Sequence, residues 1–498
     1  MKRTITAILL LAMLTGMIAS CGEKTPTEST QTPTADTETE SVETETEEET
    51  ELQPDIPKLD FGGETFTCLT SGESDDNGVD WVTYDVWVES LTGDAINDAV
   101  YNRNAYLMET YNINLAEIKS SGTTQSQTKK DVQSGSGEYD LVFTNITAGC
   151  NLAQDGNLLS LYSLPYVDLT KPWWDQKAVK DLSLLGNLYF ATGDITVIDN
   201  DATWVLMFNK EMHKDHGLDN IYDLVRENKW YYDDFYKMFE VAAMDTNGDG
   251  KMMGPDDTFG FATSDYSSYG LLYASGELFT TRDADEKPVL VSDHERMSRV
   301  AEYAAKIMAD KERTVITGKQ GIADSDNLRF VFEEGRALFF GEVMQCITRM
   351  RDSETAFGLV PWPKFDETQQ DYCTLIHTTA GKGIVVPATQ TNLEMAGAIT
   401  EAMAAKSMYT LTPAYYDVAL TYKYMRDNES AEMLDIILES RCFDLGLIYA
   451  WGGLSSGIHS IITNGKAENF ASTWEKSSTK FDTALEKTMT AYEELNNR

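Results

Sequence analysis

Short apolar strands alternate with amphipathic helices along most of this chain. Residues 65–70 and 113–118 have strand patterns, and the helix predicted between them over 95–111 has its apolar residues at helical spacing. The alternation continues with strands predicted over 139–143, 188–195 and 204–208, and helices over 232–243, 297–308, 393–405 and 472–495. Strands and helices in alternation predict α/β layers.

The N-terminus has the parts of a secretory signal peptide. Two basic residues precede an apolar run over residues 5–19, and small residues close the run. The run is shorter than the ~20 residues that a membrane-spanning helix needs. Cys21 follows at once and resembles the lipid-accepting cysteine of bacterial lipoproteins, although an ordinary signal peptide with a chance cysteine stays open. We expect residues 1–20 to be the signal peptide and Cys21 to carry a lipid anchor.

Residues 21–57 offer almost nothing that a folded core could bury. The segment consists mainly of Thr, Glu, Ser and Pro, with twelve acidic residues and one lysine. Such a segment cannot offset the entropy lost on ordering, and its like charges repel one another. We therefore expect a disordered acidic tether between the anchor and a globular body.

Charge and cysteine content restrict the partners of that body. The chain has 81 acidic and 40 basic residues and a formal net charge of −41, which argues against nucleic acids and anionic lipid surfaces as ligands. The charge suits a neutral or cationic ligand. Five scattered cysteines besides Cys21 show neither a disulfide framework nor zinc-ligand spacing, and one unassigned disulfide stays open. These are Cys68, Cys150, Cys346, Cys373 and Cys442.

A series of short motifs resembles the extracellular solute-binding proteins of ABC importers, the maltose-binding-like family. Single motifs are weakly specific, but their order is typical of the family, and the likeness covers most of residues 60–498. The motifs are YDLVF at 139–143 followed by LAQDG at 152–156, LYFA at 188–191, WVLMFNK at 204–210, FEEGRAL at 332–338 and FGLVPWP at 357–363.

This resemblance implies two α/β lobes joined by a hinge, with a ligand held in the cleft between them. The expected first lobe is 58–195 with about 341–400, and the second is 196–340 with about 401–498. The family likeness also implies a monomer that hands a small solute, foremost an oligosaccharide, to an ABC permease. With the lipid at Cys21, the protein would lie on the extracellular or periplasmic face of the cell membrane.

The resemblance places stacking aromatic residues at three positions. Tyr266 and Tyr269 match the second-lobe segment where the family has aromatics, and Trp451 resembles its C-terminal stacking tryptophan. An aromatic ring covers the apolar C–H face of a sugar, while polar side chains bind the hydroxyl rim. Core packing is the alternative for each ring, and Trp362 and His377 are further candidates.

Two segments depart from the maltose-binding pattern. Thr144 to Thr147 replaces a tryptophan and an aspartate, and the segment around Glu342 lacks an aromatic residue. Maltose itself is therefore put in doubt, although the class is not. Asn145, Thr147 and Glu342 are the predicted polar contacts. Asp199 and Asp201 lie near the crossing between lobes, where either a hinge or a ligand role stays open.

One motif stands apart from the family. Asp245, Asn247 and Asp249 occupy positions one, three and five of an EF-hand-like loop, with Gly250 at six. Lys251 would contribute its backbone carbonyl, and Asp256 takes position twelve, where Asp257 could substitute in part. The sequence predicts a structural calcium ion here. An acidic turn without metal is the alternative.

The chain carries none of the short motifs of common hydrolases, nucleotide-binding enzymes or zinc proteases. We therefore expect a binding protein. The many carboxylates leave open a lipid-anchored enzyme that degrades polysaccharides. A peptide-binding protein and a surface adhesin also stay open.

Overall fold

The computed structural model describes residues 51–75, 81–421 and 428–496. The predicted signal peptide, Cys21 and most of the predicted tether lie outside these residues. Fourteen strands are described: β1 (Glu64–Thr70), β2 (Ile113–Lys119), β3 (Leu141–Asn145), β4 (Leu158–Leu159), β5 (Trp204–Asn209), β6 (Phe259–Thr263), β7 (Thr280–Arg282), β8 (Pro288–Leu290), β9 (Thr314–Ile316), β10 (Ala337–Val343), β11 (Phe357–Val360), β12 (Thr374–Leu375), β13 (Lys382–Pro387) and β14 (Arg441–Cys442).

Helices surround the sheets. In the described ranges they are α1 (Ala95–Tyr111), α2 (Thr124–Ser134), α3 (Ile146–Gln154), α4 (Gln176–Leu182), α5 (Ile198–Asp201), α6 (Lys210–Asp215), α7 (Ile221–Arg226), α8 (Tyr232–Ala242), α9 (Ser267–Ala274), α10 (Glu295–Ala309), α11 (Ser325–Glu333), α12 (Gln345–Arg349), α13 (Leu393–Ser407), α14 (Leu411–Thr421), α15 (Asn428–Glu439), α16 (Leu445–Ile448), α17 (Leu454–Thr463) and α18 (Phe470–Asn496). The predicted α/β architecture is confirmed.

The first sheet has the strand order β2-β1-β3-β13-β4. β1 is parallel to β2 and β3, whereas the returning strand β13 is antiparallel to β3 and β4. Local signals explain the helix that joins β1 to β2. Asp94 caps its N-terminus by accepting the N–H of Asn97, and Asn112 ends it in a left-handed conformation. Because β1 and β3 are parallel, their carboxyl ends lie at the same edge of this sheet.

The second sheet has the order β11-β5-β10-β6-β9. β10 is parallel to β6 and antiparallel to β5, and β6 is parallel to β9. Its central strands β5 and β6 are buried along their whole length, because helices cover both faces. The carboxyl ends of β6, β9 and β10 meet at one edge, which is where open α/β sheets bind ligands.

Two predicted boundaries differ from the structure. Residues 341–360, expected in the first lobe, belong to the second sheet through β10 and β11. The chain rejoins the first sheet only at β13. The strand predicted over 188–195 is not formed, and only isolated bridges at Ala191 and Gly193 occur there. Ala191 and Ile384 of β13 exchange both backbone hydrogen bonds, so this apolar segment lies against the first sheet without forming a continuous strand.

The end of the predicted tether is docked on the body. The N–H of Leu52 donates to the hydroxyl of Tyr409 at 2.7 Å, and Lys406 pairs with Glu51 at 2.9 Å. Ile56 packs against the core. Residues 51–57, which the sequence assigned to the tether, thus contact the globular body. None of the helices in the described ranges has the length and apolar character of a membrane span.

Buried charges meet where the chain passes between the sheets. Arg441 donates to Asp199 at 3.1 Å and to Asp175 at 2.6 Å. Asp199 also accepts the hydroxyl of Thr192, and Asp175 caps α4. We call Asp175, Asp199 and Arg441 the crossing cluster. It joins a loop after the first sheet, the crossing helix α5 and the C-terminal strand β14.

Asp201 lies in the same crossing helix and is held by two tyrosines. Its carboxylate oxygens accept the hydroxyls of Tyr84 at 2.7 Å and Tyr415 at 2.9 Å. The sequence left a hinge role and a ligand role open for Asp199 and Asp201. Both carboxylates are hydrogen-bonded to other side chains of the protein, so the contacts support a role in the crossing between the sheets.

The Asp201 carboxyl predicts a pH-dependent part of the stability. Burial raises its pKa to about 6, against an unfolded value of 3.8. The folded carboxyl therefore keeps a proton that the unfolded chain has released. The free energy of unfolding should fall as the pH rises from about 4 to about 6, and the urea midpoint should be lower at about pH 6 than at about pH 4.5.

The substitution Asp201→Asn tests this dependence. The amide keeps the shape of the carboxyl, and tyrosine hydroxyls both donate and accept, so the variant should fold. Its urea midpoint should vary less between about pH 4 and about pH 6 than that of the wild type. The exposed Asp352→Asn variant serves as the control and should follow the wild type. Parallel curves for wild type and Asp201→Asn would contradict the assignment.

Candidate functional site

A row of polar side chains lies at the carboxyl edge of the second sheet. Gly341, Thr263 and Ile316 are paired across β10, β6 and β9. Glu342 follows Gly341 within β10, whereas Ser264 and Thr317 are the first residues after β6 and β9. The N–H of Thr317 donates to the carbonyl of Thr263 at 3.2 Å, so these three residues lie side by side at the strand ends. We call Glu342, Ser264 and Thr317 the polar row.

Two hydroxyls of the polar row are buried without a well-formed hydrogen bond in the described part of the chain. They are the Oγ of Ser264 and the Oγ1 of Thr317. Buried hydroxyls are nearly always paired, because leaving one unpaired costs about 1–3 kcal/mol. Thr317 Oγ1 is therefore available to hydrogen-bond a ligand, whereas Ser264 Oγ would share a ligand with the neighbouring Glu342 carboxyl.

Glu342 completes the polar row at the end of β10. Burial raises the pKa of its carboxyl to about 7, although the N–H of Val343 and the neighbouring hydroxyl of Ser264 lower it in part. Near neutral pH the group is thus present in both protonation states. It can accept a hydrogen bond as the carboxylate and donate one as the acid.

Aromatic rings from three separate segments stack beside this row. The Tyr269 and His459 rings are 4.7 Å apart and nearly parallel, at 7°. Tyr266 is 52% exposed, and its ring centre lies 5.9 Å from that of His459 and 5.6 Å from that of His377. We call Tyr266, Tyr269, His377 and His459 the ring cluster. Tyr266 presents its surface to solvent, as a stacking ring must.

The surroundings of the two histidines in the ring cluster favour the neutral form of the imidazole. Burial lowers the pKa of both His377 and His459, and nearby Asp265 opposes this at His459. His459 Nδ1 shares a hydrogen bond with the hydroxyl of Ser268, which fixes the ring against Tyr269. A neutral, oriented imidazole can stack and hydrogen-bond without the desolvation cost of a charge.

Of the two polar contacts predicted in the first lobe, only Thr147 has a half-exposed side chain. Asn145 is buried and its Oδ1 caps α3 by accepting the N–H of Ala148 at 2.8 Å, so this oxygen is already used. The N–H of Thr147 donates to the carbonyl of Thr378, next to His377. This bond holds the start of α3 beside the ring cluster.

The expected stacking role of Trp451 is contradicted by its burial. The ring is 2% exposed, its Nε1 donates to Thr488 at 2.9 Å, and it stacks on Tyr449 and against the edge of Phe481. Gly452 and Gly453 follow with positive φ and turn the chain at this point. Trp451 therefore packs the C-terminal helix instead of a ligand.

Trp362 is also a core residue. It is buried, and a Cβ added at Gly341 would come within 2.7 Å of its ring, so the glycine makes room for it under the second sheet. Its edge packs against Phe261. The ring of Trp362 therefore packs in the core, while its Nε1 is buried without a hydrogen-bond partner in the described residues. A ligand contact through this N–H stays a prediction.

In the predicted calcium loop, backbone N–H groups of the loop donate hydrogen bonds to the side-chain oxygens that would bind the metal. Asp245 accepts the N–H groups of Gly248 and Gly250, Asn247 that of Asp249, and Asp249 that of Lys251. Asp256 is exposed, whereas the buried Asp257 accepts two backbone N–H groups. In the described ranges no three His, Cys, Asp or Glu side chains are grouped to hold a metal. Calcium stays a prediction.

Sequence reasoning missed Ser264, Thr317 and His459. Ser264 lies within the segment that supplied Tyr266, so its position at the strand end was a usable signal. Thr317 and His459 are more than fifty residues further along the chain and belong to no motif. Only strand register and helix packing bring them to the site.

Comparisons with known proteins address the fold. No protein-family description and no curated protein sequence matches the chain. Solved structures do match. A cyclo/maltodextrin-binding protein bound to maltotetraose is 12% identical, with a TM-score of 0.54 over 86% of this chain and 96% of its own.

Two further solved structures agree. The maltose-binding periplasmic protein of Listeria monocytogenes, in complex with maltose, is 16% identical, with a TM-score of 0.53 over 86% of this chain and 98% of its own. A solute-binding protein of an ABC transporter from Thermotoga lettingae, bound to α-D-tagatose, is 11% identical, with a TM-score of 0.50 over 86% of this chain and 100% of its own. The chain therefore has the two-lobed fold of the solute-binding proteins of ABC transporters.

Proposed function

We propose that the protein captures an oligosaccharide between its two lobes and delivers it to an ABC importer. The observation that carries this proposal is the half-exposed Tyr266 beside the polar row, at the carboxyl edge of the second sheet. Proteins of the same fold were solved with maltotetraose and maltose. A binding protein of this kind returns its ligand unchanged, which separates it from a polysaccharide-degrading enzyme.

Different residues of the site would recognise different parts of the sugar. The exposed ring of Tyr266 would cover an apolar C–H face, backed by Tyr269 and His459. The buried hydroxyls of Ser264 and Thr317 would bind sugar hydroxyls. His377 already lies against Tyr266, and Thr147 is hydrogen-bonded beside it, so these two residues would bind the same sugar from the side of the first sheet.

Replacing Tyr266 with alanine should weaken oligosaccharide binding strongly. Truncating a central aromatic residue in a binding site costs about 2 kcal/mol, which is roughly thirtyfold in affinity. Because half of the ring is exposed in the free protein, the urea midpoint should change little. Calorimetric titration with malto-oligosaccharides of increasing length, chosen after a thermal-shift screen, measures the loss.

Tyr162→Ala is the matched control. Tyr162 is also 52% exposed, but it follows β4 and lies outside the ring cluster, so its loss should leave affinity unchanged. Equal affinity of wild type and Tyr266→Ala would refute the stacking role. A screen in which peptides, and no oligosaccharides, raise the melting temperature would refute the ligand class.

We further propose that a lipid at Cys21 holds the protein at the outer face of the membrane. Cys21→Ala removes the thiol that directly follows the signal-like run, so the mature protein should be released from membranes or remain unprocessed. Fractionation followed by mass spectrometry of the N-terminus would measure both outcomes. Normal processing together with membrane retention would contradict the anchor.

We also propose that the loop from Asp245 to Asp256 binds calcium after its carboxylates rearrange. The support is its ligand spacing and the way Asp245 already curls the loop around itself. Calcium at a hundredfold excess over its dissociation constant should add about 2.7 kcal/mol of stability. Calcium should raise the melting temperature of the wild type and not that of Asp245→Ala. Identical wild-type melting curves in calcium and in chelator would rule the site out.

A further inference from the structure

The five cysteines in the described ranges differ in their surroundings. Cys68, Cys150 and Cys346 are buried in separate parts of the core, whereas Cys373 and Cys442 are both half-buried. Burial raises the pKa of all three core thiols, to about 12 for Cys150, so they stay protonated and unreactive. Among the five described cysteines, only Cys373 and Cys442 combine access to solvent with a neighbouring thiol.

Strand pairing brings these two thiols together. β12 and β14 are parallel, and Leu375 is the register partner of Cys442. Cys373 lies two residues before Leu375, so it points to the same face as Cys442. The N–H of Thr374 donates to the carbonyl of Ser440 at 2.9 Å and fixes this register.

The Cys373 side chain lies close enough to Cys442 that, together with burial, it raises the pKa of the Cys442 thiol. Cys373 lies just before β12, so its backbone can move toward Cys442 and reach disulfide geometry while β12 and β14 stay paired. The other three cysteines of the described ranges form no such pair, because Cys68, Cys150 and Cys346 each lie in a different strand or helix.

We propose that Cys373 and Cys442 form a disulfide bond once the protein has left the cytoplasm. The proposal rests on the predicted export, because disulfides persist in oxidising compartments. It does not rest on the proposed ligand. Pairing these two residues leaves three buried thiols, which agrees with an odd number of cysteines beside Cys21.

The oxidation balances as thiol–disulfide exchange with a second disulfide, such as that of an extracytoplasmic thiol oxidase or oxidised glutathione. The neighbouring Cys373 and burial raise the pKa of the Cys442 thiol, so Cys442 keeps its proton in the first step, and the Cys373 thiol reacts first and gives its proton to water. Cys373 Sγ bonds to one sulfur of the oxidant and the other sulfur leaves as a thiolate. Cys442 then loses its proton, attacks Cys373 Sγ and releases the second thiolate of the oxidant.

The bond would tie two strands together at the point where the lobes join. β12 belongs to the segment that returns to the first sheet and leads to His377, and Cys442 directly follows Arg441 of the crossing cluster. The closed loop spans about seventy residues, for which chain-entropy arguments predict substantial stabilisation. The disulfide would hold the C-terminal segment against the crossing.

Peptide mapping of the exported full chain tests the bond directly. Trypsin should release residues 365–382 joined to residues 442–466 when thiols are alkylated without reduction, and dithiothreitol should separate the two peptides. The peptide 337–349, which contains the buried Cys346, should be recovered with its thiol alkylated and serves as the control for random oxidation. Free, alkylated Cys373 and Cys442 in exported protein treated with oxidised glutathione would overturn the proposal.

Thermal unfolding provides a second test. Dithiothreitol should lower the melting temperature of the wild type by on the order of 5 °C. Cys373→Ser, Cys442→Ser and the double variant should all melt at the temperature of the reduced wild type and should not respond to dithiothreitol. Serine has nearly the size of cysteine, so these variants should fold. A wild type that melts equally with and without dithiothreitol would refute a disulfide at this position.

Discussion

The ion pairs of Arg441 with Asp175 and Asp199 are the interaction on which the arrangement of the two sheets depends. All three charged groups are largely removed from water, so loss of one partner would leave an uncompensated buried charge and cost about 3–5 kcal/mol. They connect three segments that are far apart in sequence at the point where the chain crosses between sheets. The crossing therefore has a defined geometry, and the sheet edges on either side of it have defined positions.

The candidate site follows from that geometry. Parallel strands end together, so the polar row forms from β6, β9 and β10 without any of its residues being neighbours in sequence. The ring cluster is assembled in the same way. Tyr266 follows β6, His377 lies in the segment returning to the first sheet, and His459 lies in a C-terminal helix. A site built from strand ends and loops can vary its ligand while the sheets stay the same.

Sequence patterns predicted the elements better than the site. The helix from Ala95 to Tyr111 was found with its boundaries, because a capping aspartate and a left-handed asparagine mark its ends. Trp451 was assigned to a ligand because its position in a motif says nothing about which way the ring turns. Burial against Phe481 and the hydrogen bond to Thr488 decide that question.

By itself the sequence determined the alternation of strands and helices and the apolar faces that each must bury. These properties are local, because they depend on spacing and composition over a few turns or a few strand residues. Only the tertiary structure decided which polar groups meet. The juxtapositions of Ser264 with Glu342 and Thr317, of Tyr269 with His459, and of Cys373 with Cys442 join residues that are between about 50 and 190 positions apart. Such pairs are set by strand register and helix packing, which no local pattern records.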